Sequence, residues 1–425
     1  MRLVWLLLWS TAVLAQSNPG ASLAVEGTAV SDPYPVGRVS YDWVDRSRRE
    51  TLSKDGNTHR EIVVDVWYPA EQQANAQPAG YFPNAGKINQ SPYVPAETRD
   101  LGDLWPTMVS GRVHSHAHEN APVASAPRRF PLLIFSHGFL SEPYLYTNQI
   151  EDLVSHGFIV AAIHHTYEVA VAVFADGRMV PFSEENFRRS RVDRVEEIPN
   201  ERKWENERLD VWASDMRFTL DQITQLNNSP ISKTRFSGRV DLARVGVFGH
   251  SFGGVAAGRA CELDQRFKAC LNQDGMGDDG PLQHYEGGHE PMQPFMFMRS
   301  PRVRQGPPSD AELKALQMTR EAFEQDRAEA LAQLEKDLRG CSGGAYQVWI
   351  ETPGFRHNSF GDLNLLRAAG NSEDTEKALK SLRVVETYTR AFFDKYLNGA
   401  QDTLLDHAAK DSDVKIERYE QRRSN

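Results

Sequence analysis

Residues 244–254, Arg244-Val245-Gly246-Val247-Phe248-Gly249-His250-Ser251-Phe252-Gly253-Gly254, read as an apolar strand running into a glycine-flanked serine. The small residues from Val255 to Ala260 continue it as a helix. Strand, sharp turn and helix around G-x-S-x-G is the context of a nucleophile elbow, in which a strained turn exposes a serine hydroxyl at the carboxyl end of a sheet. Gly249 and Gly253 lack Cβ atoms, so strand and helix can close around Ser251. The pentapeptide by itself is also compatible with a glycine-rich turn that merely opens a helix. The flanks favour the elbow.

A serine hydroxyl is a poor nucleophile at neutral pH and needs a base, which in turn needs an orienting group. In a fold with this elbow the chain order is serine, acid, histidine. Asp274 ends the apolar run Ala269 to Gln273 and precedes Gly275, which places its carboxylate at the same sheet edge as Ser251. Asp278 and Asp279 lie further into the loop, and the strand ending at Met298 is followed by Arg299 and Ser300, which offer no acid. His357 follows the strand Tyr346 to Ile350 and is the expected base; His284 and His289 come too early, and His407 lies in a polar tail. An oxyanion hole needs two N–H groups aimed at developing negative charge. One is expected from Phe252, the residue after the nucleophile, and the other from Phe139 in His137-Gly138-Phe139-Leu140, which ends a buried strand.

Around these points the chain alternates strands and helices. Val36 to Val44, Glu61 to Tyr68, Pro131 to Ser136, Phe158 to Ile163, Phe267 to Asn272, Pro294 to Met298 and Tyr346 to Ile350 read as strands. Val169 to Val180 reads as a hairpin turning at Ala175 to Arg178. Helices are expected over Tyr146 to His156, Glu207 to Asn227, Ser309 to Arg339 and Glu376 to Leu397. In the second of these, Leu209, Trp212, Met216, Leu220, Ile223 and Leu226 form one apolar face. Such alternation predicts an α/β class chain with an α/β-hydrolase fold, a mostly parallel central sheet flanked by helices. Residues 303–342 form a late helical insertion, read either as a cap or as a plain surface helix.

The chain is 425 residues long with a net charge of -10, and no basic block stands out, so nucleic acid is not an expected partner. Arg2 followed by the apolar run Leu3 to Leu14 and by Ala15 reads as a signal peptide over 1–15, leaving 16–425 as one domain. The run is short for a membrane span. The mature chain is therefore expected in a secreted or periplasmic location without a transmembrane anchor. Three cysteines, Cys261, Cys270 and Cys341, allow one disulfide at most within a monomer, with the pairing open. Their spacing does not suggest zinc.

Other features carry less chemistry. His114, His116 and His118 alternate, but no acidic partner is apparent in the sequence, and an edge strand is the simpler reading. His164-His165 follows a buried strand and suits packing. Trp105, Trp204 and Trp212 could shape an acyl pocket, although Trp212 falls on the core face of its helix.

With these residues in place, the chain resembles the plasma-type platelet-activating factor acetylhydrolases and their bacterial relatives, a branch of the α/β-hydrolases. The resemblance rests on Pro131 to Gly138, Ser155 to Ala162, Gly249 to Gly254, Asp264 to Phe267 with Asp274, and His357 to Phe360. It spans residues 60–70 and 130–365 at the level of motifs. It implies Asp274 as the acid, N–H groups of Phe139 and Phe252 as oxyanion donors, no metal and no cofactor, and a small-molecule or lipid ester as substrate. Members of the family cleave short or oxidised acyl groups from phospholipids, and bacterial relatives include general carboxylesterases. The segment 303–342 is longer than the resemblance leads one to expect, and no apolar helix for docking on lipid is assigned. The sequence therefore predicts an exported serine ester hydrolase. A serine peptidase or amidase on the same fold and a non-catalytic binding protein are the alternatives.

Overall fold

The apolar runs become the strands of one sheet. A computed structural model describes residues 34–72, 78–84, 115–190, 198–275, 291–301, 309–315, 318–368, 371–409 and 411–419. Its strands are β1 (Val36–Arg49), β2 (His59–Pro69), β3 (Ala117–Glu119), β4 (Phe130–Ser136), β5 (Ile159–His164), β6 (Val171–Val173), β7 (Met179–Pro181), β8 (Val240–His250), β9 (Phe267–Gln273), β10 (Phe295–Arg299), β11 (Ala345–Ile350) and β12 (Val414–Tyr419). Its α-helices are α1 (Thr147–Ser155), α2 (Glu184–Arg189), α3 (Ile198–Asn228), α4 (Phe252–Leu263), α5 (Asp310–Ala315), α6 (Arg320–Gly340), α7 (Leu363–Ala368) and α8 (Ser372–Tyr396). The sheet runs β12-β11-β10-β9-β8-β4-β5-β2-β1-β3, with β6 and β7 forming the expected separate hairpin. From β5 through β4, β8, β9 and β10 to β11 all neighbours are parallel, while β2 pairs antiparallel with β1 and β5. This is the mostly parallel α/β-hydrolase arrangement.

Period-two alternation divides each central strand between two cores. Leu133 and Phe135 of β4 face a layer that includes Ile150 of α1 and Val385, Phe392 and Phe393 of α8. Leu132 and Ile134 face the opposite layer, which holds Leu209, Trp212, Met216, Leu220 and Ile223 of α3 and Val255 to Ala257 of α4. Leu226, last on the predicted face, packs against that layer only partly buried. Each fully buried side chain of this kind stabilises the fold by about 1.5–3 kcal/mol. A disulfide joins Cys261 of α4 to Cys270 of β9, and the buried Cys341 thiol lies 3.4 Å from the Asp337 carbonyl.

The structure departs from the sequence reading in several places. The expected helix from Ser309 to Arg339 is two helices, α5 and α6, and the second starts where Thr319 caps the Ala322 N–H. Leu334 and Leu338 of α6 sit in the core beside Ala345 of β11. Helix α6 thus runs in the crossover between the parallel neighbours β10 and β11, a connection such a pair requires. Strand β12 lies in what read as a polar tail; Lys415, Glu417 and Arg418 masked the alternation of Val414 and Ile416. His118 lies on the edge strand β3, and His116 just before it pairs with Glu151 of α1 at 2.9 Å, an acid the local sequence did not show. The expected signal peptide, Trp105, His114, Asp278, Asp279, His284 and His289 all lie outside the described residues.

Candidate active site

At the carboxyl end of β8 the chain turns through Ser251 with φ 56° and ψ -125°, a left-handed conformation that costs a non-glycine residue about 1–3 kcal/mol. The turn is held by the Ser251 N–H, which donates to the Gln273 carbonyl at 2.8 Å. It is also crowded. A Cβ on Gly249 would stand 2.3 Å from the Gly253 carbonyl oxygen, and one on Gly253 would stand 2.3 Å from that of His137. Both glycines of the motif are therefore required by contact.

The side chains sought on sequence grounds meet here. Asp274 follows β9 and is buried, and His357 opens a short 3₁₀ turn, His357–Phe360, in the loop after β11. His357 Nδ1 lies 2.8 Å from Asp274 Oδ2, and His357 Nε2 lies 2.9 Å from Ser251 Oγ. A carboxylate only accepts, so Nδ1 carries the hydrogen, and in the neutral ring Nε2 presents its lone pair to the serine hydroxyl. The imidazole side chain is 38% exposed and Asp274 only 1%, so the carboxyl group is enclosed while the ring faces solvent. Ser300, after β10, is not an acid and so carries no signal as a triad member in the sequence. It donates its N–H to Asp274 Oδ1 at 2.9 Å and its hydroxyl to Oδ2 at 2.7 Å. The signal that could have found it is positional, since the tip of β10 must lie beside that of β9.

The loop after β4 packs against the serine, with a Cβ built on Gly138 falling 3.3 Å from that of Ser251. The Gly138 carbonyl accepts from the Ser141 N–H at 2.9 Å and lies 2.6 Å from His137 Nδ1. In a planar trans peptide the N–H points opposite to the carbonyl, so these bonds fix the direction of the Phe139 N–H. The next N–H, that of Leu140, is committed to the Glu168 carbonyl at 3.0 Å. Phe139 and Phe252 touch each other at 5.9 Å between ring centroids. Trp204 covers both, at 5.3 and 5.8 Å, and Trp212 meets Phe252 edge-on at 4.9 Å.

Behind the tip of β4 lies a buried polar network. Ser136 Oγ is 2.9 Å from His165 Nε2, and His165 Nδ1 is 2.8 Å from Asp215 Oδ2. Burial alone would raise the Asp215 carboxyl, but Arg60 and Arg48 outweigh it and hold the group well below its ordinary range. His165 is pulled down by burial and stacks on Trp212 at 3.9 Å. His164 is also buried, against Asp65 at 2.8 Å, so both members of the His164-His165 pair pack inside the fold. His407 is exposed and pairs with Asp402, away from these groups. Among the described residues, no group of three or more His, Cys, Asp or Glu side chains could hold a metal ion.

The family pattern described as platelet-activating factor acetylhydrolase, isoform II, matches residues 20–333. Platelet-activating factor acetylhydrolase of Cavia porcellus is 26% identical over 231 residues, covering 52% of this chain and 51% of that protein. A probable 1-alkyl-2-acetylglycerophosphocholine esterase of Arthroderma benhamiae is 24% identical over 287 residues, covering 65% and 62%. The chain spans about half the length of the acetylhydrolases it matches. Among solved structures, a ferulic acid esterase from Streptomyces cinnamoneus is similar, with a TM-score of 0.64 and 26% identity over 93% of this chain and 99% of that one.

Proposed function

The chain belongs to the platelet-activating factor acetylhydrolase isoform II family, and from that premise we propose that it is an exported serine hydrolase of carboxylic esters. The observation that carries the reading is the continuous hydrogen-bonded path from Ser251 Oγ through His357 to Asp274. Ser251 attacks the ester carbonyl while His357 Nε2 takes its proton. Asp274 stabilises the imidazolium that forms, and His357 then gives the proton to the leaving alcohol. The N–H groups of Phe139 and Phe252 hold the tetrahedral oxyanion, where the loss of one such donor typically costs about 100- to 1,000-fold in rate. Water, activated by the same histidine, releases the acyl group. No step calls on a cofactor or a metal.

The substrate is proposed to be a short-acyl ester, either phospholipid-like or a small soluble one. Two observations support a small acid side. The relatives' names carry acetyl esters and an aromatic acid ester. The two expected oxyanion residues also stand against Trp204 in a cluster of rings. Export is supported by the amino-terminal signal pattern and by a disulfide of the kind that persists in oxidising compartments. Among the described residues no helix is long and apolar enough to cross a membrane.

The test is a chain-length series of model esters with and without phospholipid vesicles, alongside amide analogues and labelling by a fluorophosphonate probe. Ser251→Ala is expected to abolish labelling and to lower kcat by about 10⁴-fold or more. Labelling that persists in Ser251→Ala, or no turnover of any ester, would end the reading. Faster turnover of the amides would move it to a peptidase or amidase. A mature amino terminus at Gln16 checks the export step.

A further inference from the structure

Resting on the reading of Ser251, His357 and the Phe139 N–H as reacting groups, we propose that Tyr146 and His250 are positioning residues that form a strut between the oxyanion loop and the loop carrying the base. The strut joins three segments far apart in sequence. The Gly138 N–H donates to Tyr146 Oη at 3.3 Å, Tyr146 Oη lies 2.8 Å from His250 Nδ1, and His250 Nε2 lies 2.9 Å from the His357 carbonyl oxygen.

Chemistry fixes the direction of these bonds. A carbonyl only accepts, so His250 Nε2 carries the hydrogen, and in the neutral ring Nδ1 is left to accept from the Tyr146 hydroxyl. The phenol keeps its proton under any ordinary condition, because burial pushes it up to about 12. Hydrogen bonds therefore run from the oxyanion loop through the phenol to the imidazole, and from the imidazole on to the backbone of the base itself. The His250 ring also lies 4.5 Å from the His357 ring between centroids.

The strut is rigid because both of its side chains are enclosed. Tyr146 is 3% exposed and His250 4%. Tyr146 packs on Phe135 at 4.9 Å, and His250 stacks on Phe360 at 5.5 Å. The turn that carries Tyr146 is also joined to the loop of His357 by a backbone bond from the Asp362 N–H to the Leu145 carbonyl at 2.6 Å. Gly361 packs so closely that a Cβ there would reach the Leu145 oxygen at 2.5 Å. The strut sets the distance from the base to the oxyanion donors, and misplacing reacting groups by an ångström costs about 100-fold in rate.

The experiment cuts the strut at each end in the intact chain. Tyr146→Phe removes one oxygen and keeps the ring packing. His250→Asn keeps an acceptor near Tyr146 but has no group that reaches the His357 carbonyl. With a soluble short-acyl ester, each variant is expected to lower kcat about tenfold with KM within about twofold, and to slow fluorophosphonate labelling in parallel. The double variant should be no worse than the poorer single one, because both changes break one connection. Thermal unfolding shows whether each variant is folded, and if one is not, the other carries the comparison. Unchanged kcat in the folded variants, a change confined to KM, or losses that multiply in the double variant would overturn the proposal. A wild-type protein that neither labels nor hydrolyses esters would instead sink the hydrolase reading on which it rests.

Discussion

Ser300 grips Asp274 from the neighbouring strand tip, giving both its backbone N–H and its hydroxyl to the two oxygens of the carboxylate at 2.9 and 2.7 Å. The hydroxyl shares Oδ2 with His357 Nδ1, so it helps to set the angle at which the imidazole is held. A hydrogen bond to a charged group contributes about 1.5–3 kcal/mol. On the proposed mechanism, part of that orients Asp274 in the reacting state. Ser300→Ala keeps the N–H contact and loses the other, and kcat should fall about tenfold with little change in KM. Steady-state kinetics on a soluble ester check this, and an unchanged kcat would show that the backbone bond suffices.

The disulfide between Cys261 and Cys270 closes a short loop, with a sequence separation of 9 residues. On the chain-entropy account a loop this size removes about 2.7 kcal/mol of conformational freedom from the unfolded state. It also clamps the helix after Ser251 to the strand that leads to Asp274. Replacing both cysteines with alanine should lower the unfolding free energy by about 2–3 kcal/mol in urea, with kcat at low temperature largely kept. Equal urea midpoints for the two proteins would refute this.

Much of the site is legible in the sequence because its geometry is local. The glycines around Ser251 and the strand-turn-helix rhythm announce the elbow, and the carboxyl ends of β9 and β11 restrict where its partners can stand. Groups that act across the fold left no such mark. Ser300 is an ordinary serine until β10 is placed beside β9, and Glu151 becomes a partner of His116 only when α1 packs under the edge strand. Arg60 follows the same rule, since it is one more arginine in β2 until Glu50, Glu168 and Asp215 converge on it. Strand β12 was hidden for a different reason. An edge strand is charged on its open side, and Lys415, Glu417 and Arg418 dilute the alternation that marks a strand.

Asp362 makes stability depend on pH. Burial raises its carboxyl from an ordinary 3.8 to about 7, although Tyr81 and Asn148 donate to it. The folded protein thus holds this proton more tightly than the unfolded chain does. The stability it contributes is fully present below about pH 4 and is lost as pH rises through about 7. Asp362→Asn keeps the shape and an acceptor for Tyr81 but cannot ionise. Thermal unfolding midpoints between pH 4.5 and 8.5 should fall less steeply with rising pH in the variant than in the wild type. Parallel curves would remove Asp362 from the account.

Ser136, His165 and Asp215 repeat the bonding order of Ser251, His357 and Asp274, yet the two sets sit in different surroundings. All three residues of the first set are buried, so no substrate reaches the Ser136 hydroxyl. What that set holds is the tip of β4, from which the loop carrying Phe139 departs. Asp215 is its keystone: it takes Arg60 at 2.6 Å and Arg48 at 2.8 Å, and it keeps His165 in the tautomer that accepts from Ser136. Asp215→Asn removes the negative charge and takes an acidic partner from the buried Arg60, a change that typically costs about 3–5 kcal/mol. Urea unfolding should register a loss of that order, and ester turnover should fall along with the folded fraction. Ser136→Ala, by contrast, should retain fluorophosphonate labelling, since Ser251 is the hydroxyl proposed to take the label. An Asp215→Asn protein as stable as the wild type would mean that Glu50 and Glu168 neutralise Arg60 without help, and that the buried network is held by packing alone.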